Sequence, residues 1–352
     1  MPHHRARAAR RALALVAVAL LAGCAKGAPA NDGVARDYGA ANPLRLAMVT
    51  DVGGLGDKSF NDGAYAGLVA AKKLLGAKVQ VLESKSASDY QPNLTVLADQ
   101  DFDEIFAIGF LMHDDVRYVA RNYPKRRFAI IDAVVDEPNV TSVTFREQEG
   151  SFLAGALAAL VSKTKTIGFL GGVDVPLLRK FEAGYAAGAR EIDPHVKVLD
   201  KYVGSFEDVA SGKELASVLF DGGADVLFVA AGKSGLGAID ETRARPRVYA
   251  IGVDSNQDAL APGKILTSVL KRVDVAVFRI SQDARSQKLP AGPVEFGLRD
   301  GGVALTDFKY TKDVVGTRAL ARIDALRRAI VEGRIVPPKT REELAAFKPV
   351  KL

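Results

Sequence analysis

From Leu44 onward, short runs of apolar and β-branched residues alternate with longer stretches of helical period. The runs "LRLAMVTD" (44–51), "KVQVLES" (78–84), "EIFAIGF" (104–110) and "RFAIIDAVV" (127–135) form one series. A second series follows in "TIGFLGG" (166–172), "VKVLDKYVG" (196–204), "VLFVAAG" (226–232) and "RVYAIGVD" (247–254). Amphipathic segments such as "AYAGLVAAKKLLG" and "VRYVARNYP" lie between them. Near-continuous apolar strands joined by helical crossovers predict parallel sheets covered on both faces. The class is α/β, doubly wound, and the series occurs twice.

A chain of 352 residues has room for two ordinary domains. The break between the two series, "TSVTFREQEGSFLAGALAALVSKTK" (141–165), holds a short strand and an alanine-rich helix, as a crossover between lobes would. "ILTSVL" and the helix from Asp274 to about Ser286 are expected to carry the chain back to the first lobe, with "VEFGLRDGGVALTD" (294–307) as a late hairpin. The expected boundaries are 44–145 plus about 272–352 for a discontinuous N-terminal lobe and 146–271 for the C-terminal lobe.

The N-terminus lies outside this pattern. Arg5, Arg7, Arg10 and Arg11 precede the short apolar run "ALALVAVALL", and "LAGC" ends it with small residues before Cys24. The run falls well short of the ~20 residues that span a bilayer, so residues 1–23 read as a cleaved secretory signal. Cys24 is the sole cysteine of the chain, which leaves it no intramolecular disulfide to form. "LAGC" resembles the lipobox of bacterial lipoproteins, where the thiol receives a lipid such as palmitate. Residues 24–43 are small, polar and aperiodic, which suits a flexible linker between anchor and body. The net charge of +6 falls to about +2 without the four signal arginines, and the remaining charges are interleaved. Such a surface carries no nucleic-acid footprint.

In open α/β sheets ligands sit beyond the carboxyl ends of the strands. Those positions hold Asp51, Phe110, Asp132, Gly171, Gly172, Gly204, Ser205, Phe206, Gly232 and Asp254. A single Asp at a strand end serves equally well as a helix N-cap or an Asx-turn former; three together point to a site. Phe60 follows a capping-type Ser59 and reads either as a site residue or as core of the helix it opens. Phe206, in the loop "GSFED", has little core to enter. Met112 and His113 read as local packing, while Asp114 would reach the pocket if its turn folded inward. No histidine has a companion at metal-ligand spacing, so no metal site is expected.

Two glycine-rich segments imitate other chemistries. A phosphate loop requires lysine directly after its last glycine, but Asp57 intervenes in "GGLGDKS" and would repel phosphate. "AAGKSGLG" contains Gly232-Lys233-Ser234, yet Leu227 stands where the first glycine belongs. Leu236 likewise breaks the nucleophile-elbow pattern. Neither supports a nucleotide hydrolase or an esterase.

Seven motifs in order, "MVTDVGGLGDKSFND", "FAIIDAV", "FREQEGSFLAGALAA", "GSFED", "AAGKSGLG", "AIGVDSNQ" and "ILTSVLKRVDVAV", follow the lipobox. Together they resemble the basic membrane protein family, the PnrA-like nucleoside-binding lipoproteins of ABC transporters, over residues 44–310. The resemblance implies two Rossmann-like lobes of periplasmic-binding-protein type I architecture that close on a purine nucleoside and deliver it to a membrane permease. It assigns Phe60 and Phe206 as aromatic plates on the base, Asp132 as the carboxylate reading the purine edge, and Asp51, Asn61, Gly232, Asp254 and Lys271 as ribose contacts. An ionised carboxylate only accepts, so Asp132 favours bases with N–H groups at that edge, inosine or guanosine, with adenosine accepted in a different geometry. Asp51 and Asp254 are expected to accept from ribose hydroxyls while Asn61 and Lys271 donate. The implied molecule is a monomeric binding protein without cofactor, held by lipid on the cell membrane and facing the periplasm or exterior. A sugar or other small-solute receptor on the same fold, a nucleoside-acting enzyme and a surface adhesin or signalling antigen are the alternatives.

Overall fold

The computed structural model describes residues 36–350 except 289 and 291. The expected signal, Cys24 and most of the linker lie outside the described residues.

In the first lobe, β1 (Arg45–Val49), α1 (Phe60–Leu75), β2 (Lys78–Leu82), α2 (Tyr90–Ala98), β3 (Glu104–Ile108), α3 (His113–Asn122), β4 (Phe128–Ile131) and β5 (Val140–Phe145) alternate as the apolar periodicity predicts. β1 beyond Arg45, β3 and β4 are buried on both faces, as their apolar runs require, with Glu104 at the start of β3 the one buried charge among them. After α4 (Glu147–Val161) the second lobe repeats the scheme with β6 (Thr166–Gly171), α5 (Pro176–Ile192), β7 (Lys197–Tyr202), α6 (Val209–Asp221), β8 (Val226–Ala230), α7 (Gly235–Ala244), β9 (Tyr249–Asp254) and β10 (Ile265–Lys271). The chain ends with α8 (Val273–Ser286), β11 (Val294–Phe296), β12 (Val303–Leu305), α9 (Lys312–Val331) and α10 (Arg341–Ala346).

The sheets run β2-β1-β3-β4-β5-β11 and β7-β6-β8-β9-β10-β12. Every pairing is parallel except β12 against β10. Each sheet therefore reverses its strand order beside its first strand, and the crevice at such a switch point is where this kind of sheet binds ligands.

Three segments join the lobes: Arg146 between β5 and α4, Arg272 between β10 and α8, and 297–302 between β11 and β12. They are laced together, the amide of Arg146 donating to the Phe296 carbonyl at 2.7 Å and that of Arg272 to the Gly302 carbonyl at 2.9 Å.

Two expectations about the C-terminal part need correction. β11 and β12 do not form a hairpin, since they pair in different sheets and the glycines between them carry a lobe crossing instead. Residues from 303 onward, placed by the sequence reading in the first lobe, pack on the second. There β12 extends the β10 edge, α9 lies on α4 and α10 on α5. α4 itself is buried on nearly all sides. It meets α5 backbone to backbone, a contact that small residues permit: a Cβ on Gly155 would lie 1.8 Å from the Tyr185 carbonyl oxygen, and one on Gly188 would lie 1.8 Å from that of Phe152.

Candidate ligand-binding site

The carboxyl ends of both sheets face each other across a cleft, the place where such sheets bind ligands. All eight residues singled out by the sequence, Asp51, Phe60, Asn61, Asp132, Phe206, Gly232, Asp254 and Lys271, line it.

The loop after β1 builds one wall. Asp51 is buried at the strand end, and its Oδ1 accepts from the Gly53 amide at 3.0 Å and from Asn61 Nδ2 at 2.8 Å. Burial pushes Asp51 up to about 6 against the pull of those two donors. The cap of α1 is not the one the sequence suggested. Ser59 makes no side-chain cap bond. Instead Asp57 accepts from the amides of Ser59 (2.9 Å), Asn61 (2.8 Å) and Asp62 (3.1 Å). Asp57 thus occupies the anion-binding end of the helix, a stronger reason against a bound phosphate than repulsion alone.

Asn61 also differs from expectation. Its Nδ2 donates to Asp51 at 2.8 Å and to Asp57 at 3.1 Å, which spends both amide hydrogens on carboxylates. Its buried Oδ1 has no hydrogen-bond partner. The polar atom that Asn61 leaves unpaired is thus an acceptor, whereas the sequence reading expected it to donate.

Asp132 follows β4 and Asp254 ends the corresponding strand β9, and both hold left-handed backbone, with φ of 72° and 62°. Asp tolerates this region better than most residues because its short polar side chain bonds locally. Asp132 Oδ2 accepts from Lys271 Nζ at 2.6 Å, while its buried Oδ1 is without a partner. Asp254 Oδ2 accepts from Ser59 Oγ at 2.7 Å, a bond that crosses from one lobe to the other. Burial pushes Asp254 up to about 7, with Lys271 and Ser59 opposing. Lys271 is only 3% exposed. Burial alone would lower its pKa, but Asp132, Glu147 and Asp254 together outweigh that and raise it, so it remains a cation.

Phe60 comes from the first lobe and Phe206 from the second, both half-buried in the cleft wall. Gly172 makes room for the latter, since a Cβ there would sit 2.3 Å from the Phe206 ring. Gly232 holds left-handed backbone with φ of 55°, which brings its main chain to the cleft without strain. Phe110 meets Phe206 edge-on at 6.3 Å, so the lobes touch across the opening.

Sequence reasoning gave Phe110 no role despite its strand-end position, and missed Leu177, Leu178 and Phe181, which reach the cleft from α5. The α5 residues sit within an ordinary helical period and carry no signal separating them from core. Met112 is buried in the first lobe, and the His113 ring lies 3.1 Å from the Val134 carbonyl. Asp114 stays exposed at the start of α3, bonded to Arg117 at 3.0 Å, and does not line the cleft.

This two-lobed architecture recurs in a solved ABC transporter solute-binding protein from Aeropyrum pernix K1, with a TM-score of 0.79 and 29% identity over 86% of this chain and 96% of that one. Residues 44–340 match the Bmp family model, described as ABC transporter substrate-binding protein PnrA-like. The chain belongs to the Bmp family. Among its Bmp relatives, the ABC transporter nucleoside-binding protein BmpA of Lactococcus lactis subsp. cremoris is 36% identical over 93% of this chain and 97% of its own. An uncharacterized lipoprotein of Pyrococcus horikoshii is 35% identical over 88% and 79% respectively. As a Bmp protein the chain is a substrate-binding component of an ABC transporter. Among the described residues no helix is long and apolar enough to cross a membrane.

Proposed function

We propose that this Bmp protein binds a purine nucleoside between its lobes and delivers it to the permease of its transporter, tethered to the membrane by lipid on Cys24. The observation that carries the reading is a cleft with phenyl rings from both lobes, Phe60 and Phe206 among them, and an excess of buried acceptors. Asp132 Oδ1 and Asn61 Oδ1 have no partner, and Asp51 and Asp254 stand beside them. A buried acceptor left unpaired is costly, so the site calls for a flat ligand rich in N–H and O–H groups. A purine supplies the plane and an N–H edge for Asp132, and a ribose supplies hydroxyls for the other carboxylates and Asn61. Phosphate is disfavoured by the same carboxylates and by Asp57 on the helix end. Lys271 is the cationic donor of this set, with one N–H given to Asp132.

Closure follows from the division of the site. Asp51, Phe60, Asn61 and Asp132 belong to the first lobe, and Phe206, Gly232 and Asp254 to the second, so a ligand that touches both sets shifts the population toward the closed form. That closed form is what a permease would distinguish from the empty one.

Titration calorimetry of the unlipidated protein against inosine, guanosine, adenosine and uridine tests the reading. Binding of purine nucleosides is expected, and no heat with any of the four would overturn it.

Affinity and stability are expected to move oppositely with pH. Asp51 and Asp254 hold protons longer when folded, at about 6 and about 7 against a usual 3.8. Stability of the empty protein therefore declines as pH rises from about 4 to about 7 and levels off above. Hydroxyl donors favour the ionised carboxylates, so affinity is expected to rise by roughly tenfold or more between pH 5 and pH 8. Thermal melts and titrations across that range check both signs; affinity that falls with pH would contradict the ribose contacts.

A further inference from the structure

The buried charges around Lys271 continue past the residues that face the cleft. Glu147 opens α4 at 1% exposure, and its two oxygens lie 3.1 Å from Lys271 Nζ and 3.0 Å from Lys180 Nζ. Lys180 also donates to the Phe145 carbonyl at 3.2 Å. The sequence "FREQEG" and the interior of α5 had offered neither residue as a candidate.

The Lys271 ammonium is confined on its other sides by rings, with the centroids of Phe60 and Phe145 each 5.2 Å away and that of Phe181 5.7 Å away. It is held to one oxygen of Asp132, and the other oxygen is left open. An ammonium has three donors and no preferred plane. Asp132 and Asp254 both attract it, so its bond to one Asp132 oxygen needs a third restraint. Glu147, itself fixed by Lys180 and not among the residues lining the cleft, supplies that restraint as an ion pair.

We infer that Glu147 and Lys180 are positioning residues for base recognition: they pin Lys271 against Oδ2 of Asp132, so that Oδ1 alone meets the N–H edge of the base. The inference rests on the nucleoside reading above. Without Glu147 the ammonium is free to bridge both oxygens or to swing toward Asp254, and the single acceptor is lost. Inosine presents N1–H to that acceptor, whereas adenosine carries a lone pair at N1. Preference between the two is therefore the quantity that the Lys180–Glu147–Lys271 chain controls.

The test is titration of inosine and adenosine into the wild type, Glu147→Gln, Lys180→Met and the double variant. The wild type is expected to prefer inosine. Each single variant is expected to lose roughly fivefold of that preference, the scale of one altered hydrogen bond, and the double variant to lose no more than either single one. A purely scaffolding role would lower the melting temperature and weaken both ligands in proportion. Wild-type binding with the inosine-to-adenosine ratio unchanged within about twofold in the variants overturns the inference alone. Absence of binding by the wild type overturns the nucleoside reading and this inference with it. Should Glu147→Gln fail to fold, Lys180→Met carries the same comparison, because the Lys180 side chain is already 25% exposed.

Discussion

Replacing both Phe60 and Phe206 by alanine is expected to remove nearly all measurable nucleoside binding while leaving the fold in place. Base-aromatic stacking contributes roughly 1–3 kcal/mol per contact. Two contacts from opposite lobes thus account for about 2–6 kcal/mol, or between about thirty-fold and twenty-thousand-fold in affinity. Both rings are only half-buried and line the cleft, so their loss opens little core. Titration of the double variant beside its circular dichroism and melting curve is the measurement. Retained affinity with an intact fold would mean that the ligand is held through hydroxyls, as a sugar would be. The single variants separate the two plates, and Phe206→Ala carries an added effect because it also removes the edge contact with Phe110 that joins the lobes.

Lys271→Met is expected to produce the largest loss of stability among single changes in the site. It strands Asp132 and leaves Glu147 to Lys180 alone, and breaking a buried pair from one side costs roughly 3–5 kcal/mol. At neutral pH this lowers the thermal midpoint by something on the order of 10 °C. The loss has a pH signature that a packing defect lacks. Burial already raises the pKa of Asp132, and Lys271 is the foremost group opposing it. Once the lysine is gone, Asp132 protonates at higher pH and the deficit shrinks on acidification. Melts at pH 5 and pH 8 decide the matter: a deficit equal at both values would show that the methionine fits poorly, not that a charge was lost.

The strands were legible because a strand buried on both faces must be largely apolar, and β1, β3, β4, β8 and β9 are so in sequence apart from terminal Arg45, Glu104 and Asp254. Their ends were legible for the same reason, since Asp51, Asp132 and Asp254 interrupt apolar runs. Lobe membership near the C-terminus was not legible. "FGLRDGGVAL" contains the residues of a tight turn, and the same glycines serve a crossing between lobes; the choice is made by which sheet edge each strand finds. Residue types within the site were easier to read than their bonding. Asn61 looked like a donor until Asp57, known from sequence only as an obstacle to phosphate, proved to take one of its amide hydrogens. Phe181 was hidden because a helix of ordinary period does not announce which of its buried residues faces a cleft, and Glu147 because nothing beside it in sequence shows that it meets Lys271.

The left-handed backbone at Asp132 and Asp254 bears on how this protein is best dissected. Alanine at either position removes a carboxylate and also the local bonding by which a short polar side chain offsets this backbone's cost of about 1 kcal/mol or more. Alanine scanning would therefore report a composite of charge and strain, and would overstate what these acids give to the ligand. Asparagine tolerates the same region and keeps the side chain's shape while removing the charge and turning one acceptor into a donor. Paired with a glycine variant, which relaxes the backbone and deletes the side chain, it would apportion the two contributions at each end of the site.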